Sequence, residues 1–108
     1  MAELGDGDTK ASVASLSDDP DAPVVSIGGE IDISNAELVK AAILATFGGK
    51  PQRIIVDVSG LRFMDSSGIA ILVQISKSVA SIELRHPTPI VRRVIEATGL
   101  SEHFGMAQ

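Results

Sequence analysis

No cysteine, tryptophan or tyrosine occurs in the 108 residues. Without cysteine there are no disulfides, no thiol catalysis and no sulfur-ligated metal, which fits a reducing compartment. Phe47, Phe63 and Phe104 are the whole aromatic complement, too few for base-stacking platforms or aromatic interface anchors. Long hydrophobic runs are missing as well. The longest, Ile69 to Val73, is far too short to cross a bilayer, and the acidic start has no apolar signal-peptide region. A cytoplasmic protein with no membrane partner is therefore expected. What is present is 44% apolar, so one hydrophobic core of Val, Ile, Leu and Ala is expected in a single domain.

Charge is unevenly placed. Residues 1–23 hold six acids against Lys10 alone, while residues 24–108 hold eight acids and eight bases. A neutral body with an acidic head suits phosphate backbones poorly, so no nucleic-acid partner is expected. The two histidines, His86 and His103, are 17 positions apart with no patterned acid between them, and no metal or other cofactor is expected. Gly28-Gly29 is followed by Glu30 and Asp32, which would repel a nucleotide phosphate. No serine lies in a Gly-x-Ser-x-Gly elbow, and no catalytic residue is assigned. The protein is expected not to be an enzyme. Arg92-Arg93 reads as a solvated pair on α-helix, with partner docking as the alternative.

Residues 1–10, rich in Gly and Asp, suggest a disordered acidic tail, with the domain occupying 11–108. "ASVASL" (11–16) and "VVSI" (24–27) read as strands of an N-terminal hairpin around the turn-rich "SDDPDAP". "SNAELVKAAILATFGG" (34–49) predicts a helix, with Ser34 and Glu37 spaced as a capping box and Gly48-Gly49 as its stop. "RIIVDV" (53–58) predicts a buried strand, "GIAILVQIS" (68–76) a buried helix and "SIELRH" (81–86) another strand. Thr88-Pro89 opens a last helix, and Gly99 followed by Leu100 closes it. Alternation of this kind implies an α/β fold with parallel strands joined by right-handed crossovers.

Two segments then fall at the carboxyl ends of strands: "GGEID" (28–32) and "MDSSG" (64–68). Sites form at that edge in parallel sheets. Glu30, Asp32, Asp65, Ser66 and Ser67 would share one surface. Two readings stay open on pattern alone: a binding surface, or acids and serines that merely suit helix starts.

"GGEIDISNAELVKAAI", "IIVDVSGLRFMDSSGIAILV" and "PIVRRVIEATGL" together resemble the STAS domain and, within it, the bacterial anti-sigma factor antagonists. The resemblance runs from about residue 11 to 104. It implies a mixed, mainly parallel sheet with an N-terminal hairpin and helices packed on it. It also implies a partner-switching role in transcription and the stress response. The unphosphorylated protein would bind an anti-sigma factor that is itself a serine kinase, releasing a sigma factor; a serine phosphatase would reverse the modification. On matching positions the resemblance makes Ser66 the phosphorylated residue. Glu30, Asp32, Asp65, Ser67 and Gly68 would surround it in the partner-binding surface. The stretch from Asp65 to Val91 is about one helical turn shorter than the family pattern, and the usual Gly-Gly before the next strand is absent. An adaptor subunit gripping the ATPase of a membrane transporter is the alternative in the same family; a small-ligand sensor has no pocket chemistry behind it. A monomer when free is expected.

Overall fold

Ile54, Ile55 and Val56 lie near the start of the longest strand, where Ile55 and Val56 pair with a neighbouring strand on each side and branched side chains fill the pleat. The computed structural model describes residues 2–4, 10–17, 19, 21–47 and 51–106. In chain order the elements are β1 (Ala2–Leu4), β2 (Ala11–Ser17), β3 (Val24–Ile31), α1 (Ala36–Leu44), β4 (Arg53–Met64), α2 (Ser66–Ser76), β5 (Ser81–Arg85) and α3 (Pro89–Thr98). The five strands lie side by side in sequence order. β1–β2 and β2–β3 pair antiparallel, and β3–β4 and β4–β5 pair parallel. The sheet is thus mixed, and its parallel half is made by the crossovers through α1 and α2.

The sheet is buried on one side. Val25, Val56 and Leu84 are register partners and are all buried. One residue along, Ser26, Asp57 and Arg85 are register partners on the other side and remain at least partly exposed. Residues from all three helices, among them Val39 and Ile43, Leu72 and Ile75, and Val91 and Ile95, join one core with the buried strand residues. Each such side chain contributes about 1.5–3 kcal/mol by leaving water. Two right-handed crossovers stepping the same way put α1 and α2 side by side, where Lys40 Nζ donates to Gln74 Oε1 at 2.8 Å.

Four local expectations need correction. Ala2–Leu4 forms a strand on β2 rather than part of a tail, because the open edge of β2 offers unpaired N–H and C=O groups to any extended segment nearby; residues 1 and 5–9 of that tail lie outside the described residues. Ser34 and Glu37 form no capping box. α1 begins at Ala36, and Asn35 turns its side chain back to the preceding strand instead of capping the helix. The helix ends at Leu44, where the Thr46 hydroxyl donates to Ile43 O at 2.6 Å; the glycine stop at 48–49 lies outside the described residues. β3 and β4 run on to Ile31 and Met64, well past the ends expected from their apolar runs.

Gly28 and Gly29 permit that extension. Irregularities in the β3–β4 register flank both residues. Gly29 has φ 90°, and a Cβ there would fall 2.0 Å from Lys10 O. That carbonyl accepts a hydrogen bond from Glu30 N at 2.6 Å. Only glycine lets β2 come so close, and the approach delivers Lys10 to the end of β3. α3 follows the sequence closely. Thr88 Oγ1 accepts from Val91 N and donates to Leu61 O, Pro89 is the first helical residue, and Gly99 closes the helix at φ 76°.

Candidate functional site

β3 and β4 end together. Ile31 and Met64 are register partners, and Asp65 N donates to Ile31 O at 3.3 Å. The β3–α1 loop and the β4–α2 turn are therefore hydrogen-bonded neighbours, and "GGEID" and "MDSSG" meet at the carboxyl edge of the sheet, as the alternating pattern predicts.

Asp65 is the N-cap of α2. Its extended backbone turns the carboxylate onto the first helical turn, where Oδ1 accepts from Ser67 N at 2.9 Å. The Ser67 hydroxyl also donates to that oxygen. Gly68 N and Ile69 N donate to Asp65 O. Gly68 is buried, and a Cβ on it would lie 2.2 Å from Met64 Cγ and 3.3 Å from Ile31 Cγ2. The helix start is thereby pressed onto the ends of β3 and β4. Ser66 differs from Ser67. It is exposed, and its hydroxyl makes no hydrogen bond among the described residues. One serine is part of the cap, and the other is left facing water.

The neighbouring loop is held more tightly than its sequence suggests. Asp32 Oδ1 accepts from Ser34 N at 2.9 Å and Ser34 Oγ at 2.5 Å, and Oδ2 accepts from Lys10 Nζ at 3.1 Å. Lys10 also donates to Ser34 Oγ. Asn35, 1% exposed, accepts from Asp32 N through Oδ1 and donates through Nδ2 to Glu30 O at 2.9 Å. The Ser34 hydroxyl, then the Lys10 ammonium, lower the Asp32 carboxyl from 3.8 to about 2. The outcome is a loop cross-braced by hydrogen bonds that carries Ile33 87% exposed at its tip. Glu30 lies on the rim, its carboxylate 3.7 Å from the Arg62 guanidinium, and its register partner Phe63 is half exposed.

All six residues expected at this surface, Glu30, Asp32, Asp65, Ser66, Ser67 and Gly68, lie at this one edge. Sequence reasoning missed Lys10, Asn35 and Ile33. Lys10 was legible only as the one base in an acidic segment. Asn35 carried no signal, because its partners are backbone groups fixed by the fold.

A hydroxyl at this edge could accept a group, but nothing near it makes it a nucleophile. The Ser–His pair among the described residues is elsewhere: Ser76 Oγ lies 3.0 Å from His103 Nε2, at the far end of α2. Ser76 already donates its proton to Val73 O at 2.6 Å, so His103 must donate to Ser76 rather than act as its base.

The fold and the site together are those of a small α/β module whose paired strand ends and serine turn share one edge of a mixed sheet. The STAS domain pattern matches residues 14–108, and the chain belongs to that family. It is 33% identical over 82 residues to the anti-sigma F factor antagonist of Lysinibacillus sphaericus, covering 71% of this chain and 70% of that protein. It is 32% identical over 84 residues to the anti-sigma-F factor antagonist RsfB of Mycobacterium tuberculosis, covering 75% of this chain and 69% of RsfB. The crystal structure of an anti-sigma factor antagonist from Mycobacterium paratuberculosis superposes with a TM-score of 0.71 at 31% identity, over 88% of this chain and 85% of that one. No helix among the described residues is long and apolar enough to cross a membrane.

Proposed function

We propose that this protein is an anti-sigma factor antagonist that binds an anti-sigma factor with serine kinase activity and is switched off by phosphorylation of Ser66. The observation that carries this reading is the contrast between the two serines. Ser66 offers a free, exposed hydroxyl on the first turn of α2, while the Ser67 hydroxyl is engaged by Asp65. A kinase needs a hydroxyl it can reach, and Ser66 is the one offered.

The consequence of modification follows from charge. A phosphate adds about −1.5 to −2 charges near neutral pH. On an exposed helix start it projects into water, and the fold is kept. The same dianion lands beside Asp65, next to the loop of Asp32 and the rim carboxylate of Glu30. A partner that docks on these acids meets a surface of different charge after phosphorylation. Like-charge contact at an interface costs several kcal/mol, which weakens binding by about 100-fold or more. In this reading Ser66 is a substrate and the protein is not an enzyme. A serine phosphatase restores the binding form, and the free protein is a monomer in the cytoplasm.

Incubation of the wild type, Ser66→Ala and Ser67→Ala with the cognate kinase and ATP, followed by mass mapping, tests the assignment. The wild type and Ser67→Ala take one phosphate on Ser66, and Ser66→Ala takes none. Phosphate on Ser67 alone, or recovery from cells of a transport ATPase and no kinase-type anti-sigma factor, would overturn it.

A further inference from the structure

The carboxyl edge of the sheet continues past the serine turn to β5, where Arg85 ends the strand and His86 and Pro87 lead into α3. A cleft of about 340 Å3 opens there, lined chiefly by Glu83, Arg85, His86, Pro87, Arg92 and Gly105. Arg92 and Arg93, a plain basic pair in sequence, separate here: Arg92 is half-buried and lines the cleft, and Arg93 is exposed. The acid in the lining is already shared between two guanidiniums. Glu83 accepts from Arg53 through Oε1 and from Arg85 Nε through Oε2 at 2.5 Å. Those hydrogen bonds, Arg85 first, hold its carboxyl below the ordinary range. The second acid facing this group is Asp57, the register partner of Arg85, whose Oδ1 accepts from Ser59 N at 2.9 Å. The terminal nitrogens of Arg85 remain as donors beyond its Nε bond to Glu83.

Two backbone features shape the cleft. His86 has φ 57°, the one non-glycine residue among the described residues in the left-handed region. That conformation costs energy for a side chain with a Cβ, and such residues cluster at binding sites. Gly105, also at φ 57°, presents bare backbone to the space; a Cβ there would lie 3.7 Å from Glu83 Cα.

We propose that this cleft binds a small phosphate monoester, its phosphate held by Arg85, His86 and Arg92 and its organic body against Pro87 and Gly105. Guanidinium forks match phosphate oxygens two at a time, which a point charge does not. Size argues for an ester over the bare ion. A cleft of about 340 Å3 leaves room beside one phosphate group for a small organic body. This site is separate from the serine turn, and its test does not depend on any kinase.

Glycerol 3-phosphate, inorganic phosphate and glycerol are titrated into the full-length protein, with binding read from backbone amide and arginine side-chain NMR shifts. Glycerol 3-phosphate gives saturable shifts at Arg85, His86, Arg92 and Gly105, binds about threefold or more tighter than inorganic phosphate, and loses about tenfold or more in Arg85→Gln/Arg92→Gln. Glycerol alone gives none. His86→Gly, which relieves the backbone strain, keeps or raises the melting temperature and weakens binding several-fold. Equal affinity for inorganic phosphate, a response to glycerol, or unchanged affinity in either variant would overturn the proposal. Should the double arginine variant fail to fold, His86→Gly decides it alone.

Discussion

Asp32 commits both carboxylate oxygens to neighbours, and that commitment has a pH signature. The Ser34 hydroxyl and the Lys10 ammonium lower its carboxyl from 3.8 to about 2. A group titrating lower in the folded state than in the unfolded chain stabilises the fold while charged. Its contribution is complete above the ordinary carboxylate range and is lost as pH falls from about 3.8 towards 2. Asp32→Asn keeps an acceptor for Ser34 and removes the charge that Lys10 meets. The melting temperature of the wild type should exceed that of Asp32→Asn at pH 6, and the gap should close towards pH 2. A gap of constant size across that range would show that the charge on Asp32 does not hold the loop.

Helix α2 starts where it does because Asp65 caps it and because Gly68 lets it lie against Met64 and Ile31. Gly68→Ala would drive a Cβ into the fully buried Met64 side chain and should destabilise the fold by about 1–3 kcal/mol. In a Met64→Ala background the same change should cost much less, since the atoms it strikes are gone. Denaturant unfolding of the four proteins of that cycle measures the coupling; equal costs in both backgrounds would place the strain elsewhere. Features of this local kind are the ones that sequence reveals. The Asp65 cap, Thr88 with Pro89 and the Gly99 stop all depend on residues within a few positions of one another. The strand expected over 53–58 runs on through Ser59-Gly60, because Gly28 and Gly60 sit opposite each other and let the two backbones pack closely. The expected capping box failed for a related reason. Asp32 and Lys10 claim the Ser34 hydroxyl, and Lys10 arrives only through the close approach of β2 at Gly29. Contacts set by strand pairing between distant segments leave no mark in a local pattern.

At the scale of the whole molecule, the alternation of strands and helices made the architecture legible. It also brought two segments more than thirty residues apart to one edge, because parallel strands joined by crossovers end on the same side. That edge displays the acids Glu30, Asp32 and Asp65, the exposed Ile33 and the free hydroxyl of Ser66 within two bonded turns. Phosphorylation would change the charge of this edge and leave the core untouched, so it should alter partner affinity and not the fold. The most direct measurement is the affinity of the cognate anti-sigma kinase for the unphosphorylated protein and for protein carrying phosphate on Ser66, with melting temperatures recorded alongside. The account predicts that the phosphorylated form binds about 100-fold or more weaker while melting within a few degrees of the unmodified protein. Equal affinity of the two forms, or a loss of binding that comes only with loss of the fold, would contradict it.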